Sequence, residues 1–480
     1  MIMWVLYLLL SALILLLAVV LIRTAAFKPR PQFAVKEEKI DFDKEKSINA
    51  LQQLIRCKTV SYYDKALEDE AEFKKFIGLL PKLYPEVFKV CEYKELPDRA
   101  LLFKWKSKKS DDPVVLMAHY DVVPVDEKSW EKPPFDAIIE DGVLWGRGSL
   151  DTKVTFNGIM FSANTLIAQG FTPENDIYFA FSGGEEVNGN GAVNIVDFFD
   201  ENNIKPQFVL DEGGAVVENV FPGVKTPCAM VGIAEKGMIN LTFSVKSNGG
   251  HASSPAPHTP IGILSRACCK VENNPFKMHI TKPAADMFDT LGRQSGLVYR
   301  MIFANMWLFS GVLNLICKKS GGEMNALVRT TVAFTQSEGS SAPNVIPPQA
   351  SMTANLRLNP KDTVESAVEY IKKVIDDESI ILTVGSNMQP SPVSRTDCDG
   401  WKKVSTAIIG TWDAPIVSPY LMVQCSDSRH YRDLSDKVYR FSAMDLTSEE
   451  RKTIHGHNEK IRLETANRAV EFYIRLMKQC

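Results

Sequence analysis

Imidazole and carboxylate side chains stand just after a short apolar segment near residue 119. His119 and Asp121 directly follow the apolar run 114–118, which is typical of a buried strand. In a strand, residues i and i+2 point the same way, so these two side chains should share one face. A metal-binding histidine commonly donates its second N–H to a carboxylate. Asp121 could therefore orient His119, bind a metal itself, or pair with the histidine in the core.

Two further acidic motifs follow Gly-rich turns. Asp151 comes after a turn that contains Gly146 and Gly148, where an aspartate could also cap the next helix. Glu185 and Glu186 follow an apolar run and a Gly-Gly pair. Because adjacent side chains point in different directions, one carboxylate can bind a metal while the other holds a water molecule. A solvated acidic loop is the alternative interpretation of this pair.

The last two motifs are ambiguous when each is taken alone. Asp211 ends an apolar run and has Glu212 beside it, and His455 and His457 lie near the C-terminus. A capping acid or a surface histidine would account for either motif. Taken together, two histidines and three carboxylates suit a pair of zinc ions. A bridging carboxylate would hold such ions about 3.5–4 Å apart.

The elements that must position these residues are predicted by alternating patterns. Short apolar runs alternate with helical stretches, which indicates an α/β sheet with helices on both faces. Ligands bind at the carboxyl ends of strands in open α/β sheets, so the motifs should meet at one edge. Half-exposed strand patterns begin near residue 238 and predict an α+β domain inserted over 238–358. The catalytic domain would then consist of 46–237 and 359–480.

The N-terminal segment differs in kind from the rest. Residues 1–22 carry no charged side chain, and basic residues follow them. About 20 apolar residues span a bilayer as a helix, whereas the apolar part of a signal peptide is about 7–15 residues long. We expect a single-pass membrane anchor at 1–24 and a tether at 25–45, with a cleaved signal as the alternative. Too few charges flank the segment to fix which side carries the catalytic domain.

Composition excludes some classes of partner. The 480 residues carry a formal net charge of −3, so there is no basic footprint for nucleic acid and we expect no such partner. Nine cysteines form no C-x-x-C pair and no recognisable disulfide framework. The hydrophobic content of 45% is that of a globular protein with a sizeable core.

The motifs and their order resemble those of the di-zinc aminoacylase/carboxypeptidase family of metallopeptidases, especially its carboxypeptidase S and fatty-acyl amino-acid synthase/hydrolase branches. The likeness covers nearly all of 45–475 and includes GGHASSP at 249–255, NVIPP at 344–348 and HGHNE at 455–459. It implies a zinc-peptidase-type α/β catalytic domain with a mixed sheet and an inserted α+β lid/dimerisation domain. It also implies reversible, zinc-dependent hydrolysis of N-acyl amino acids or short peptides that bear a free C-terminal carboxylate.

The resemblance assigns roles to individual residues. The implied ligands of two zinc ions are His119, Asp151, Glu186, Asp211 and His455. Asp151 would bridge the two ions, Glu185 would be the general base, and Asp121 would orient His119. Glu212 stays open as the alternative to Asp211, because some relatives use a glutamate nearby.

Residues of the inserted domain are implicated in substrate recognition. His251 matches a lid histidine that, in dimeric relatives, reaches the partner's active site, so a homodimer through the lid is expected. Asn344 and Arg357 match residues that hold the substrate carboxylate. For Arg357 the physical reason is the planar guanidinium fork, which binds a carboxylate through two parallel hydrogen bonds.

Three questions remain open: the role of the apolar insert, the activity and the class of protein. The apolar insert 295–319, which contains Trp307, Leu308, Phe309 and Leu313, suits an acyl-chain groove, a membrane contact or plain packing. A dipeptidase or carboxypeptidase is the rival activity. A zinc-binding scaffold without turnover is the rival class, although such a scaffold would not need the spare carboxylate of Glu185.

Overall fold

The computed structural model describes residues 2–36, 38–221 and 223–480 of the chain. Its strands are β1 (Glu92–Leu96), β2 (Ala100–Trp105), β3 (Lys109–His119), β4 (Ile138–Glu140), β5 (Val143–Trp145), β6 (Asn175–Ser182), β7 (Phe208–Val217), β8 (Cys228–Glu235), β9 (Gly237–Lys246), β10 (Gly250–His251), β11 (Thr331–Glu338), β12 (Val345–Ile346), β13 (Gln349–Leu358), β14 (Ile381–Met388), β15 (Ile416–Met422), β16 (Val438–Leu446) and β17 (Lys460–Arg462).

The helices are distributed along the whole chain. They are α1 (Ile2–Ala26), α2 (Lys44–Ile55), α3 (Glu70–Leu83), α4 (Pro85–Val90), α5 (Lys153–Ala168), α6 (Gly191–Glu201), α7 (Pro260–Asn273), α8 (Lys282–Gln294), α9 (Leu297–Ala304), α10 (Met306–Ser320), α11 (Gly322–Val328), α12 (Val364–Ile375), α13 (Asp399–Thr411), α14 (Ser448–Arg451) and α15 (Leu463–Met477). Short 3₁₀ turns lie at Lys65–Leu67, Glu127–Ser129, Glu185–Val187 and Asp427–Asp433.

The central element is a mixed eight-stranded sheet with the order β1-β2-β6-β3-β7-β16-β8-β15. Strands β6, β3, β7 and β16 run parallel to one another. Strands β1 and β2 run antiparallel at one side, and β8 runs antiparallel to β16 at the other. The predicted α/β class with a mixed sheet is therefore confirmed.

Both faces of this sheet are covered, and β3 shows why. Val114 and Leu116 pack into one hydrophobic core, whereas Val115 and Met117 pack into the core on the opposite face. The first core contains residues of α5 and α15, and the second contains residues of α6. A strand that is buried on both sides reads as a continuous apolar run, which is the pattern that the sequence has at this point.

A second sheet, with the order β11-β13-β9-β14, is antiparallel throughout. Helices α7 and α12 pack on it and form a separate core. The predicted insertion over 238–358 therefore needs a correction at its end, because α12 and β14 continue the second unit to residue 388.

The same prediction also needs a correction in its middle. Helices α8 to α11, between residues 282 and 328, bury Met287, Leu291 and Leu327 in the core of the main sheet rather than in the core of the second sheet. The apolar insert is thus a layer of the catalytic unit. Local periodicity predicts that these helices exist, but it does not tell which of two cores they cover.

The N-terminal helix α1 is 25 residues long and mostly exposed. It is the one helix among the described residues that is long and apolar enough to cross a membrane by itself. Val20 and Thr24, near its C-terminal end, are its buried residues. This much agrees with the predicted anchor, although an N-terminal signal sequence can also form an apolar helix of this kind.

Candidate metal centre and active site

Three adjacent parallel strands bring the first site residues together. His119 is the last residue of β3, Glu185 and Glu186 follow the end of β6, and Glu212 lies in β7. Because β3 pairs with β6 on one side and with β7 on the other, their carboxyl ends meet at one edge of the sheet. The site lies at that edge.

His119 is oriented by Asp121. Its Nδ1 lies 3.0 Å from the backbone oxygen of Asp121 and 3.4 Å from the carboxylate of the same residue. A backbone oxygen only accepts, so Nδ1 carries a proton, and Nε2 is the ring nitrogen that faces the site. That Nε2 lies 3.0 Å from Asp151 Oδ1 and 3.1 Å from Glu212 Oε1. One imidazole and two carboxylates therefore converge on one point.

Asp151 links this point to a second one. Its Oδ1 faces His119, while its Oδ2 lies 3.0 Å from Nε2 of His455. The same Nε2 lies 3.0 Å from Glu186 Oε2. Asp151 thus presents one oxygen to each imidazole, which is the arrangement expected of a carboxylate that bridges two cations.

The cluster carries more negative than positive charge. Burial raises the pKa of Glu186 to about 7 and the pKa of Glu212 to about 7. Hydrogen bonds to Asp151 and Glu186 raise the pKa of His455 to about 11. The two glutamates are buried and lie near the charge of Asp151, so a bound cation would favour their charged forms.

A metal ion fits these residues. The possible ligand atoms of His119, Asp151 and Glu186 lie within 4.8 Å of one another. Within the described part of the chain, the buried Oε1 of Glu186 has no hydrogen-bond partner, so an acceptor stands free at the centre of the cluster. Imidazole and carboxylate are ligands that zinc takes. The residues around His119 are therefore a metal-binding site.

The predicted ligand Asp211 does not belong to the cluster. Its buried carboxylate accepts hydrogen bonds from the backbone N–H of Ser428, at 2.9 Å, and from that of Glu212, also at 2.9 Å. Neighbouring residues of a strand point to opposite faces, so only one of the two can face His119. The structure places Glu212 there, which corrects the prediction in favour of its alternative.

Glu185 also lies in the cluster, because its possible ligand atom and those of His119 and Glu212 lie within 4.8 Å of one another. Its position is fixed through the backbone. The N–H groups of Glu185 and Glu186 donate to the two oxygens of Asp121, at 3.1 and 3.2 Å. Burial raises the pKa of Glu185 well above its usual value, and the nearby charges of Asp427 and Glu212 act in the same direction. Asp121 thus positions both the imidazole and the glutamate pair.

Glu459 is a positioning residue that the sequence did not reveal. It is fully buried, and its Oε1 accepts from the backbone N–H of Leu150 and Asp151, at 2.7 and 3.2 Å. Its Oε2 accepts from the N–H of Gly148, at 3.1 Å, and from the Arg147 guanidinium, at 2.6 Å. The turn that carries the bridging carboxylate is therefore held by one acid, which in sequence looks like any polar residue after His455.

A cavity of about 750 Å³ opens from the cluster. Asp151, Glu185, Glu186, Glu212 and His455 line its polar end. Its other walls are mainly apolar and include Met230, Met287, Leu291, Met324, Leu327 and Met444, from the main sheet and from helices α8 and α11. Methionine is flexible and fills irregular apolar space, so these walls can adapt to different apolar groups.

Comparison with known proteins decides the family. The family description that matches residues 115–479 is "Peptidase family M20/M25/M40". The chain belongs to this family of peptidases. It is 36% identical over 480 residues to "N-fatty-acyl-amino acid synthase/hydrolase PM20D1" of Xenopus tropicalis, covering 98% of this chain and 93% of that protein. It is 34% identical over 481 residues to "Probable carboxypeptidase S-like 2" of Dictyostelium discoideum, covering 98% and 92%.

A solved structure supports the fold. The M20 family metallo-carboxypeptidase Sso-CP2 of Sulfolobus solfataricus superposes with a TM-score of 0.65 at 16% identity, covering 90% of this chain and 98% of that one. Together with the family match, this confirms the predicted resemblance and the prediction of a hydrolase. It also argues against the scaffold without turnover.

The lid residues of this M20 peptidase are not at the metal cluster. His251 in β10 is exposed, and its Nδ1 pairs with the Ser253 hydroxyl at 2.7 Å. The backbone oxygen of Asn344 accepts from the N–H of Ala252, at 3.0 Å, so His251 and Asn344 lie beside each other. Neither lines the cavity within this chain.

Arg357 lies nearer to the cavity. It projects from β13, and its Nη1 lies 3.3 Å from Sγ of Cys425, which does line the cavity. Its Nε donates to Asn355 at 3.1 Å. The guanidinium is therefore at the border between the second sheet and the cavity, with N–H groups left for a ligand.

Proposed function

We propose that this M20 peptidase hydrolyses the amide bond of N-acyl amino acids whose acyl chain is long and apolar. The observation that carries the proposal is the cavity, which has the metal cluster at one end and methionine and leucine walls at the other. A volume of about 750 Å³ is in the range of ordinary small-molecule sites. The name of the Xenopus tropicalis relative supports the same substrate class.

Two zinc ions are the proposed cofactors. His119, Asp151 and Glu212 would hold one, and Asp151, Glu186 and His455 would hold the other. When bound, zinc supplies Lewis-acid chemistry, which acidifies water and polarises an amide carbonyl. The excess of buried carboxylates and the free acceptor on Glu186 support this assignment.

Glu185 is the proposed general base. Its carboxylate accepts a proton from the attacking water and returns that proton to the leaving amine. Burial raises its pKa above the usual value, which makes the carboxylate a stronger proton acceptor. Asp121 holds the backbone of Glu185 during both steps.

Arg357 is the proposed reader of the substrate carboxylate. A guanidinium grips a carboxylate through two parallel hydrogen bonds, which fixes the amino-acid end of the substrate. Its contact with Cys425, a residue that lines the cavity, supports this role. The scissile amide would then lie between the guanidinium and the cluster.

A second copy of the chain would complete the site. His251 and Asn344 are exposed neighbours on the ribbon formed by β10 and β12, away from the cavity of their own chain. The family resemblance implies that they reach across a dimer, where His251 would donate to the oxyanion and Asn344 would contact the substrate carboxylate. We also propose that α1 anchors the chain in a membrane.

The experiment compares substrates on the purified full chain. N-oleoyl-phenylalanine should be hydrolysed with a higher kcat/KM than N-acetyl-phenylalanine or a blocked dipeptide, because only the oleoyl chain fills the apolar walls. A chelator should abolish turnover, and added zinc should restore it. Preference for the dipeptide would replace this proposal with the dipeptidase or carboxypeptidase activity.

A cavity variant sharpens this comparison. Met324→Trp in α11 narrows the apolar end, so kcat/KM for the oleoyl substrate should fall roughly 10-fold or more while the acetyl substrate is unaffected. Met388→Trp in β14 is the matched control, because that methionine is also half-buried but does not line the cavity. Equal losses on both substrates would show that the acyl chain binds elsewhere.

A further inference from the structure

Helices α9 and α10 present apolar side chains to the outside of the molecule. Leu297 is 72% exposed, Trp307 55% and Leu315 67%. The opposite side of α10 is packed, since Leu313 and Cys317 are 3% and 0% exposed. One face of the insert therefore packs in the core, and the other faces outward. Plain packing, one of the three alternatives that the sequence left for this insert, explains only the first of these faces.

The outward face differs from an ordinary protein surface. Single exposed apolar residues are normal, but a cluster of large ones marks an interaction surface. Residues 290–322 contain no acidic side chain, and Lys318 and Lys319 stand exposed at the end of α10. Apolar side chains bordered by lysines match the acyl chains and anionic headgroups of a bilayer surface.

This surface is joined to the apolar helix α1. The Arg23 guanidinium donates to the backbone oxygen of Ala304, with Nε at 3.1 Å and Nη2 at 3.0 Å. The buried Asn305 amide donates to the oxygen of Val20 and to the Thr24 hydroxyl, both at 3.3 Å. The corner between α9 and α10 is thus bonded to the end of α1 where the helix leaves the body.

We propose that the exposed faces of α9 and α10 lie in the interface of a lipid bilayer, next to the point where α1 enters it. The two helices meet at a bend of 114°. With 8 and 15 residues they are roughly 12 and 22 Å long, which is less than the hydrocarbon core of about 30 Å. They are therefore too short to span the bilayer separately, and the bend keeps them from forming one span.

The bilayer contact has a consequence for substrate supply, which rests on the proposed function. Phe303 of α9 packs against Phe288 of α8, with ring centroids 5.4 Å apart. The neighbouring residues Met287 and Leu291 of α8 line the apolar end of the cavity. One helix layer therefore separates the bilayer surface from the site, and an acyl substrate dissolved in lipid would arrive beside its cavity.

The test follows Trp307 in the full chain reconstituted into phosphatidylcholine vesicles that contain phosphatidylglycerol. The emission of Trp307 is obtained as the difference between the wild type and Trp307→Phe, which removes the signal of the other tryptophans. Lipids brominated on their acyl chains should quench it, and iodide in the aqueous phase should not. Quenching by iodide alone would overturn the proposal, because the surface would then face water.

Two further outcomes are informative. If neither agent quenches Trp307 and cross-links form between the α10 helices of two chains, a second copy covers the surface and the proposal fails. Leu315→Glu should lower the brominated-lipid quenching several-fold, whereas Val384→Glu, at an exposed position on β14, should not. A loss of the same size in both variants would contradict a contact made by α10.

Activity on two substrates tests the supply step separately. Leu315→Glu should slow hydrolysis of vesicle-embedded N-oleoyl-phenylalanine several-fold and leave hydrolysis of soluble N-acetyl-phenylalanine unchanged. Equal slowing of both substrates would reject the supply step while leaving the bilayer contact to the fluorescence result. Absence of hydrolysis in the wild type would instead reject the proposed function, and Trp307 quenching would still decide the bilayer contact.

Discussion

Two neighbouring carboxylates of β7 serve different parts of the molecule. Glu212 points to His119 and the cavity, whereas Asp211 accepts a hydrogen bond from Ser428 on the other side of the strand. Both are buried or nearly so, and both end an apolar run in the sequence. The register of β7 at the sheet edge decides which of the two carboxylates faces the site. A shift of one residue would exchange them.

This assignment predicts different results for two substitutions. Glu212→Ala should lower both metal content and turnover, because the ion beside His119 loses a ligand. Asp211→Asn should leave the metal content of the protein unchanged, since the amide oxygen can still accept from Ser428. Metal analysis of the dialysed proteins beside their kcat values measures both effects. A full metal complement in Glu212→Ala, with loss in Asp211→Asn, would restore Asp211 as the ligand.

Most of the cluster could be predicted from residue type and order. His119, Asp151, Glu186 and His455 lie where the motif order places them, and the structure brings their ligand atoms together. Glu459 ends the HGHNE motif, but its role could not be predicted, because the sequence does not show which backbone N–H groups a buried acid accepts from. Its partners lie about 310 residues earlier in the chain.

Two loops at the site are held in place by buried carboxylates. Asp121 accepts from the backbone of Glu185 and Glu186, and Glu459 accepts from the turn that ends at Asp151. A carboxylate that accepts several N–H groups fixes the backbone of a loop as well as satisfying its donors. The loops that carry Glu186 and Asp151 are therefore each held by more than one hydrogen bond to a buried carboxylate.

Glu459→Gln should weaken that turn. The substitution removes the charge that pairs with the buried Arg147, and breaking a buried ion pair costs about 3–5 kcal/mol. Glu464→Gln is the control, because its pair with Arg468 is exposed and such pairs contribute about 0–1 kcal/mol. The free energy of unfolding in denaturant and the zinc affinity are the measurements. Equal stability of the two variants would mean that Glu459 does not hold the turn.

The core on which the apolar insert packs could not be predicted from sequence patterns. The sequence predicts helices over 295–319 and a second domain that ends at 358. The structure packs α8 to α11 on the main sheet and adds β14 to the second one. Amphipathic periodicity gives the apolar face of each element, but the choice of core depends on contacts between residues that are far apart in sequence.

Across the whole molecule, one property of parallel strands assembles the site. Residues from 119 to 459 meet because β6, β3 and β7 are neighbours with their carboxyl ends at one edge. The alternation of strand and helix patterns predicted this arrangement. The family resemblance, rather than this alternation, predicted that His251 acts outside the site of its own chain, and neither His251 nor Asn344 lines that cavity.

A shared active site predicts complementation between two inactive variants. Glu185→Gln lacks the base, and His251→Ala lacks a donor whose loss typically costs about 10²–10³ in kcat. In a mixed dimer with crossed lids, one site has both groups, so an equal mixture should recover about a quarter of the wild-type rate. The measurement is the turnover of mixtures in which mixed dimers are verified by differently sized tags. If such dimers stay inactive, His251 does not act across an interface.

We propose that Glu185 moves the proton in amide hydrolysis beside the metal cluster and is not itself needed to hold an ion. The most direct measurement is the kcat of Glu185→Gln on N-oleoyl-phenylalanine together with its zinc content, each compared with the wild type. We predict that the variant retains two zinc ions per chain while kcat falls about 10²–10⁴-fold, because a proton acceptor is lost and no ligand is. A zinc-loaded variant with the wild-type kcat would show that Glu185 is not the general base.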